Sequence, residues 1–147
     1  MLANELKNIT REIREIRTVQ FVPGAYADIT LDVGEKNKGE AVDTYRVTFP
    51  NPRRVDVYAD ESFNQTDSPE HRCINGTDSA EWEGMTLAFP DFPEIYETPN
   101  SQYLKRYQSI EESGKGLRHF IICTDANGMI HILTHSQPVL TSFPDYF

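Results

Sequence analysis

Two stretches of the chain decide the fold: ADITLDV at residues 27–33 and DTYRVTF at residues 43–49. In the first, apolar residues alternate with Asp and Thr, and in the second Tyr45, Val47 and Phe49 share one face. Because successive side chains of a strand point to opposite faces, this period of two indicates strands with one face on a core and one in water. With the polar segment 34–39 between them, the two stretches predict an antiparallel pair.

Further strands are predicted on both sides of the middle of the chain. RVDVY at 54–58 alternates in the same way, and so do Met85, Leu87 and Phe89. Near the C-terminus, HFIIC at 119–123 and MIHIL at 129–133 flank Asn127-Gly128, which is the strongest short-range signal of a hairpin. Helices do not alternate regularly with these strands, so a parallel sheet is not expected.

Two helices are predicted as well. An apolar stripe with spacings of 4, 3, 4 and 3 residues predicts an amphipathic N-terminal helix that ends near Arg17; its members are Leu2, Leu6, Ile9, Ile13 and Ile16. Residues 100–113 are predicted to form a second helix, capped by Asn100 or Ser101. The predicted class is therefore α+β: an antiparallel sheet of about five to seven strands with both helices packed on it.

The composition suits one globular domain over residues 1–147. Hydrophobic residues make up 38% of the 147 and aromatic residues 11%, which is too apolar for a disordered chain. No stretch approaches the run of about 18 apolar residues that a spanning helix needs, and the charged N-terminus has no signal-peptide core. We therefore expect a cytoplasmic protein with no membrane contact. Residues 60–80 are nearly all polar and are expected to form one long, mobile loop.

The charge is concentrated in the centre of the chain. Of the net charge of −9, residues 56–97 hold eleven acids against one base, Arg72, a balance of −10, and the rest of the chain is at +1. Phosphate binding requires Lys and Arg, so nucleic acid is not an expected partner. An acidic segment attracts basic proteins from a distance, although such a run also serves solubility alone.

We expect the partner-facing residues in this acidic segment. Trp82 is the only tryptophan and stands between two glutamates, and an aromatic anchor ringed by charge is typical of protein-binding hot spots. The alternative is a core tryptophan whose neighbours face water. The predicted binding residues are Asp60, Glu61, Asp67, Glu70, Asp78, Glu81, Trp82 and Glu83.

The last hairpin contains residues that could ligate zinc, but the spacing along its strands does not allow one four-ligand site. His119 and Cys123 are four residues apart on one strand, as are His131 and His135 on the next. A two-residue loop pairs Phe120 with His135 and turns His119 and Cys123 to the other face. A register one residue away puts His119 opposite His135, but the two couples then lie about 13 Å apart, from four residues at about 3.3 Å each. No four-ligand site results, and we predict no metal or cofactor; a two-ligand site completed elsewhere stays open.

Catalytic motifs are absent from the sequence. Cys73 follows His71 and Arg72, which would lower the pKa of its thiol, but no Gly-rich oxyanion loop follows it. No phosphate-binding loop, Gly-x-Ser-x-Gly or His-Glu-x-x-His is found. We therefore predict no catalytic residue. The alternative is a small hydrolase-type enzyme that uses Cys73 or a hairpin histidine.

Two regions carry a resemblance to a known class of proteins. YRVTFPNPRRVDV at 45–57 reads as strand, kink and strand, and HFIIC through HIL at 131–133 closes the chain with a hairpin. Over about half the chain, this pattern resembles the small β-rich immunity-type proteins of bacterial toxin–immunity systems. The resemblance implies a non-enzymatic inhibitor that binds a basic toxin; the long acidic loop and the N-terminal helix depart from it.

Three functions are therefore weighed. The first is a non-enzymatic protein-binding module, an acidic immunity protein in its specific form, that is a monomer or weak homodimer and takes a basic protein as partner. The second is the hydrolase described above. The third is a structural subunit that oligomerises through the apolar stripe of the N-terminal helix.

Overall fold

The computed structural model describes residues 9–36, 39, 41–58, 85–99, 101–109, 116–124 and 128–142. In chain order, its elements are β1 (Arg11–Val22), β2 (Tyr26–Glu35), β3 (Val42–Pro50), β4 (Arg54–Tyr58), β5 (Thr86–Leu87), β6 (Ile95–Glu97), α1 (Gln102–Gln108), β7 (Arg118–Thr124), β8 (Gly128–Thr134) and β9 (Val139–Ser142). The strands form two antiparallel sheets, sheet A in the order β1-β2-β3-β9 and sheet B in the order β4-β8-β7-β6-β5.

The two sheets face each other across one apolar core. Alternate residues of β2 and β3 supply the sheet A side, and alternate residues of β7 and β8 supply the sheet B side. Phe49 and Phe120 meet between the sheets with ring centroids 5.6 Å apart. The period-two patterns at 27–33 and 43–49 and the apolar runs of the last hairpin correctly predict these strands. Alternate apolar residues of each strand face this core, while other apolar residues of the hairpin, such as Ile121 and Met129, lie on the outer face of sheet B.

The predicted N-terminal helix is wrong: from Arg11 the chain runs as strand β1, paired antiparallel with β2. The register shifts between Ile13 and Glu15 and again between Ile16 and Thr18. Each bulge inserts one extra residue and so changes which residues face inward. Ile13 and Ile16, three apart, therefore lie opposite the buried Val33 and Leu31. The first bulge thus gives Ile13 and Ile16 the three-residue spacing of a helix face.

The α+β class is also wrong, because strands make up 62% of the described residues and helix only 7%. Within the predicted 100–113 helix, the structure has the seven-residue α1, whose N-cap Ser101 accepts a hydrogen bond from the Leu104 N–H at 3.0 Å. The long loop predicted over 60–80 lies outside the described residues.

Glu94 connects the two sheets. Its backbone is in the left-handed region, with φ of 60°, which is unfavourable for a residue with a long side chain. In that conformation its Oε1 accepts a hydrogen bond from the Ile13 N–H at 2.7 Å, beside the first bulge of β1. Its carbonyl accepts one from the Cys123 N–H of β7 at 3.1 Å. The two contacts compensate for the backbone strain and tie the start of β1 to sheet B.

Candidate functional site

Three polar side chains of sheet B lie together on its outer face, away from the core: Asp56, His119 and His131. Ile130 and Ile132 of β8 point into the core, so His131 between them points outward. Asp56 of β4 is paired directly with His131. On β7, His119 lies opposite Leu133, one step diagonally from His131. Helix α1 packs on this face through Tyr103 and Leu104, which belong to a small apolar cluster with Leu117 and Leu133.

A chain of hydrogen bonds links the helix cap to two histidines. Ser101 Oγ lies 2.6 Å from His119 Nδ1, and His119 Nε2 lies 2.9 Å from His131 Nδ1. Because Ser101 Oγ already accepts the Leu104 N–H, its own proton is best satisfied by donation to His119 Nδ1. We assign the tautomers accordingly: His119 carries its proton on Nε2 and donates it to His131.

Tyr103 covers both histidines. Its ring stacks on His119 with centroids 4.6 Å apart and on His131 at 4.9 Å. Its hydroxyl donates a hydrogen bond to the Asp56 carboxylate, which also accepts one from Arg54 Nε at 2.7 Å. Ser101, Tyr103, His119, His131 and Asp56 are hereafter called the histidine cluster.

Burial fixes the protonation of His119 and Tyr103 in the histidine cluster. His119 is 0% exposed and His131 1%, while Ser101 is 1% exposed. Burial lowers the pKa of His119 well below its usual range, and the neighbouring His131 lowers it further. Burial together with the hydrogen bond to Asp56 raises the pKa of Tyr103. At neutral pH, His119 is therefore a neutral imidazole and Tyr103 a neutral phenol, which suits the hydrogen bonds they make.

The histidine cluster has the parts of a nucleophile and base, but substrate access is lacking. A serine hydroxyl 2.6 Å from an imidazole nitrogen fits the geometry of such a pair. However, Ser101 and His119 are almost completely covered, and Ser101 Oγ is already used in capping α1. A reacting atom would have to displace Tyr103 or the helix. The cluster therefore satisfies buried polar groups and holds α1 on sheet B.

The hairpin register corrects the zinc hypothesis. Thr124 pairs with Gly128, so Ile121 faces His131 and His119 faces Leu133, which is neither of the registers considered from the sequence. The two histidines therefore meet each other, and His135 lies beyond the end of β8. Cys123 is buried opposite Met129, in a separate apolar cluster. Within the ranges that the structure describes, no three His, Cys, Asp or Glu side chains are grouped to hold a metal ion.

The predicted partner-facing residues Asp60, Glu61, Asp67, Glu70, Asp78, Glu81, Trp82 and Glu83 all lie outside the described residues, as do His71 and Cys73. Four other acids of the segment 56–97 are described: Asp56, Asp91, Glu94 and Glu97. Asp56 belongs to the histidine cluster, Glu94 caps β1, and Glu97 makes two hydrogen bonds of 2.7 Å to Arg118. Three of these four acids are therefore used inside the fold.

The sequence predicts Ser101 only as a helix cap, contributes Asp56 only as charge, and does not bring these side chains into one cluster. It does contain a signal: His119 and His131 are the single polar residues of the runs HFIIC and MIHIL, and such residues need a buried partner.

Comparison of the chain with known protein families, with curated proteins and with solved structures finds no match. Among the described residues, no helix is long and apolar enough to cross a membrane.

Proposed function

We propose that this chain is a non-enzymatic, acidic protein-binding module that captures a basic protein. Its specific form is an immunity protein that neutralises a basic toxin in the cytoplasm. The observation that carries the proposal is the separation of charge: residues 56–97 stand at −10 and the rest of the chain at +1. A charge confined to one segment attracts a basic surface from a distance and raises the rate of association.

The use of the described side chains supports this proposal over the hydrolase. Two of the hairpin histidines are consumed in the histidine cluster, where Tyr103 and α1 cover them. The acids that the fold uses internally are those near the ends of the acidic segment, such as Asp56 and Glu97. The stretch 59–84 between them holds seven acids against Arg72, and its excess of negative charge is what would meet a basic partner.

The proposal is tested by affinity capture from a native lysate at about 0.1 M and about 1 M salt, where the screening lengths are about 10 Å and 3 Å. We expect one basic protein to be bound at low salt and weakened or released at high salt. The captured protein is then purified, and its dissociation constant for this chain is measured. If no basic protein is retained at either salt concentration, the proposal is contradicted.

A matched pair of variants separates the effect of the acidic segment on binding from the effect of net charge alone. Replacing Asp78, Glu81 and Glu83 by Asn, Gln and Gln removes three charges from the segment. Replacing the exposed Glu15, Glu35 and Asp43 in the same way removes three charges from sheet A. We expect the first triple variant to weaken binding by about tenfold or more, mostly through slower association, and the second to leave it nearly unchanged.

Trp82→Ala tests the aromatic anchor separately. Loss of a central aromatic contact accelerates dissociation, so we expect weaker binding at both salt concentrations. Equal affinity of Trp82→Ala and the unchanged chain would remove Trp82 from the proposed binding surface and leave only the charges.

A further inference from the structure

The second half of β1 is an edge of sheet A among the strands that the structure describes. From Thr18 to Val22 the strand pairs regularly with β2, and on its other side no described strand pairs with it. We call residues 18–22 the open edge. They contain no charge and no proline, the usual devices that keep a sheet edge from pairing. In an edge strand, every second residue directs its N–H and C=O groups away from the sheet, so this edge presents a template for another strand.

The first half of the same strand is protected. Both bulges lie before Thr18, and bulges turn an edge away from pairing. Glu94 Oε1 also occupies the Ile13 N–H at 2.7 Å, and Arg14 donates to the Gly39 carbonyl at 3.2 Å. Pairing with a further strand is therefore confined to the open edge.

Two apolar side chains of the open edge are exposed on the core-facing side of sheet A. Val19 and Phe21 lie opposite Ile29 and Ala27, which are completely buried. Directly opposed residues of an antiparallel pair point to the same face, so Val19 and Phe21 also point toward that side. Even so, Val19 is 36% exposed and Phe21 41% exposed.

An open cleft lies beside them. It has a volume of about 180 Å³ and is lined by Ile16, Arg17, Thr18, Val19, Val57 and Ile130. Val57, in the edge strand β4 of sheet B, is 57% exposed. An apolar cavity of about 150 Å³ holds a benzene molecule, so this cleft has room for a phenyl ring.

We propose that the open edge pairs antiparallel with the same edge of a second copy of the chain, about a two-fold axis at Gln20. That register keeps the pairing within residues 18–22 and sets Phe21 of each copy opposite Val19 of the other, which lines the cleft. Because Phe21 points to the face on which the cleft opens, each phenyl ring enters the cleft of the other copy. Sheet A then continues across the axis as eight strands, four from each copy.

Two properties favour a second copy over an unrelated strand as the occupant. Phe21 and the cleft beside Val19 lie two residues apart on one strand, so a single two-fold axis at Gln20 brings each phenyl ring to the cleft of the other copy. A two-fold axis also sets the residues nearest to it against their own copies, and an uncharged segment tolerates this arrangement. Arg17, the nearest charged residue on the strand, is compensated by Asp32, with Nε 3.5 Å from the carboxylate.

The salt dependence of the dimer separates it from the capture of a basic protein. Each copy carries a net charge of −9, so two copies repel each other at low salt. Screening therefore strengthens the dimer as salt rises, while it weakens the binding of a basic partner. Either proposal can then fail without the other.

The first test is sedimentation equilibrium of the full chain up to about 100 µM, a range that covers weak dimers. We expect the mass to rise from 16.9 kDa towards twice that value, and to do so at lower concentration in high salt. Phe21→Ser should raise the dissociation constant of the dimer by about tenfold or more. Val42→Ser is the matched control, since Val42 is 42% exposed and lies outside the open edge, and it should leave the dimer intact.

The second test fixes the register. In a Cys73→Ser background, Gln20→Cys sets two thiols across the two-fold axis within reach of a disulfide, and Val42→Cys does not. We expect a covalent dimer on mild oxidation from Gln20→Cys alone. A monomer at every salt and concentration, a dimer unaffected by Phe21→Ser, or equal cross-linking from both cysteines would overturn the proposal. A chain that is monomeric by itself, but loses its captured partner on Phe21→Ser, would assign the edge to that partner instead.

Discussion

The outer face of sheet B and the open edge of β1 treat their side chains in opposite ways. In the histidine cluster, polar groups that could do chemistry are buried, hydrogen-bonded to one another and covered by α1. In the open edge, apolar side chains such as Phe21 are exposed beside a cleft. The difference teaches that, within the described residues, groups capable of chemistry are buried, while apolar side chains capable of contact with another protein are exposed. That arrangement suits a protein that works through contact with other proteins.

The largest expected loss of stability comes from replacing His119, the centre of the histidine cluster. His119→Ala leaves a cavity and deprives Ser101 and His131 of their shared partner. We expect the free energy of unfolding to fall by about 4 kcal/mol, measured by urea denaturation. His135→Ala is the control: its ring is only partly buried and makes no part of the cluster, so the loss should stay below about 1 kcal/mol. Equal losses would show that the cluster does not stabilise the fold.

A smaller loss of stability is expected when only Tyr103, which covers the histidine cluster, is changed. Tyr103→Phe keeps the ring on both histidines but removes the hydroxyl that donates to Asp56. Since the acceptor is charged, the free energy of unfolding should fall by about 2 kcal/mol. Tyr107→Phe leaves the ring over which the Arg54 guanidinium lies at 4.3 Å, and it should change stability little. A similar loss from the two substitutions would contradict the assigned hydrogen bond.

Low pH should reduce the free energy of unfolding through His119 on the outer face of sheet B. Burial lowers the pKa of His119 in the folded chain, while in the unfolded chain it titrates near its usual value of about 6.5. Below that pH the unfolded state binds more protons, so stability falls with decreasing pH, by at most about 1.4 kcal/mol per unit from this group. The measurement is urea denaturation at pH 7.5 and 5.5, each about one unit from that value, for the chain and for His119→Gln. An equal pH dependence in both would contradict a buried neutral His119.

The smallest effect on stability is expected at the open edge. Phe21→Ser removes a side chain that is 41% exposed, so the free energy of unfolding of the dilute chain should change by about 0.5 kcal/mol or less. The same substitution should markedly weaken the dimer. A large loss of stability in the dilute chain would mean that Phe21 serves the monomer core, and the contrast with the histidine cluster would fail.

The strands with regular alternation could be predicted from the sequence, because all four apolar residues of ADITLDV at 27–33 face the core as expected. Strand β1 could not, since the first of its two bulges gives Ile13 and Ile16 the spacing of a helix. A bulge depends on the partner strand and on contacts such as that of Glu94 with Ile13, which is 81 residues away in sequence. No local pattern contains that information.

The candidate site was hidden for a similar reason. Whether His119 meets His131 or His135 depends on the hairpin register, and the observed register pairs Thr124 with Gly128. A shift of one residue would turn every side chain of one strand to the other face. Asp56 and Tyr103 join the cluster through tertiary contacts over 47 residues, which residue types alone do not indicate.

The most direct test of the central claim compares the acidic segment with the histidine cluster in one capture experiment. The chain, its Tyr103→Phe variant and its Asp78→Asn, Glu81→Gln, Glu83→Gln triple variant are each used as bait in the same lysate at about 0.1 M salt. The account predicts that Tyr103→Phe retains the same basic protein at an undiminished level and that the triple variant loses about nine-tenths of it. Loss of the partner from folded Tyr103→Phe, with full retention by the triple variant, would contradict the account.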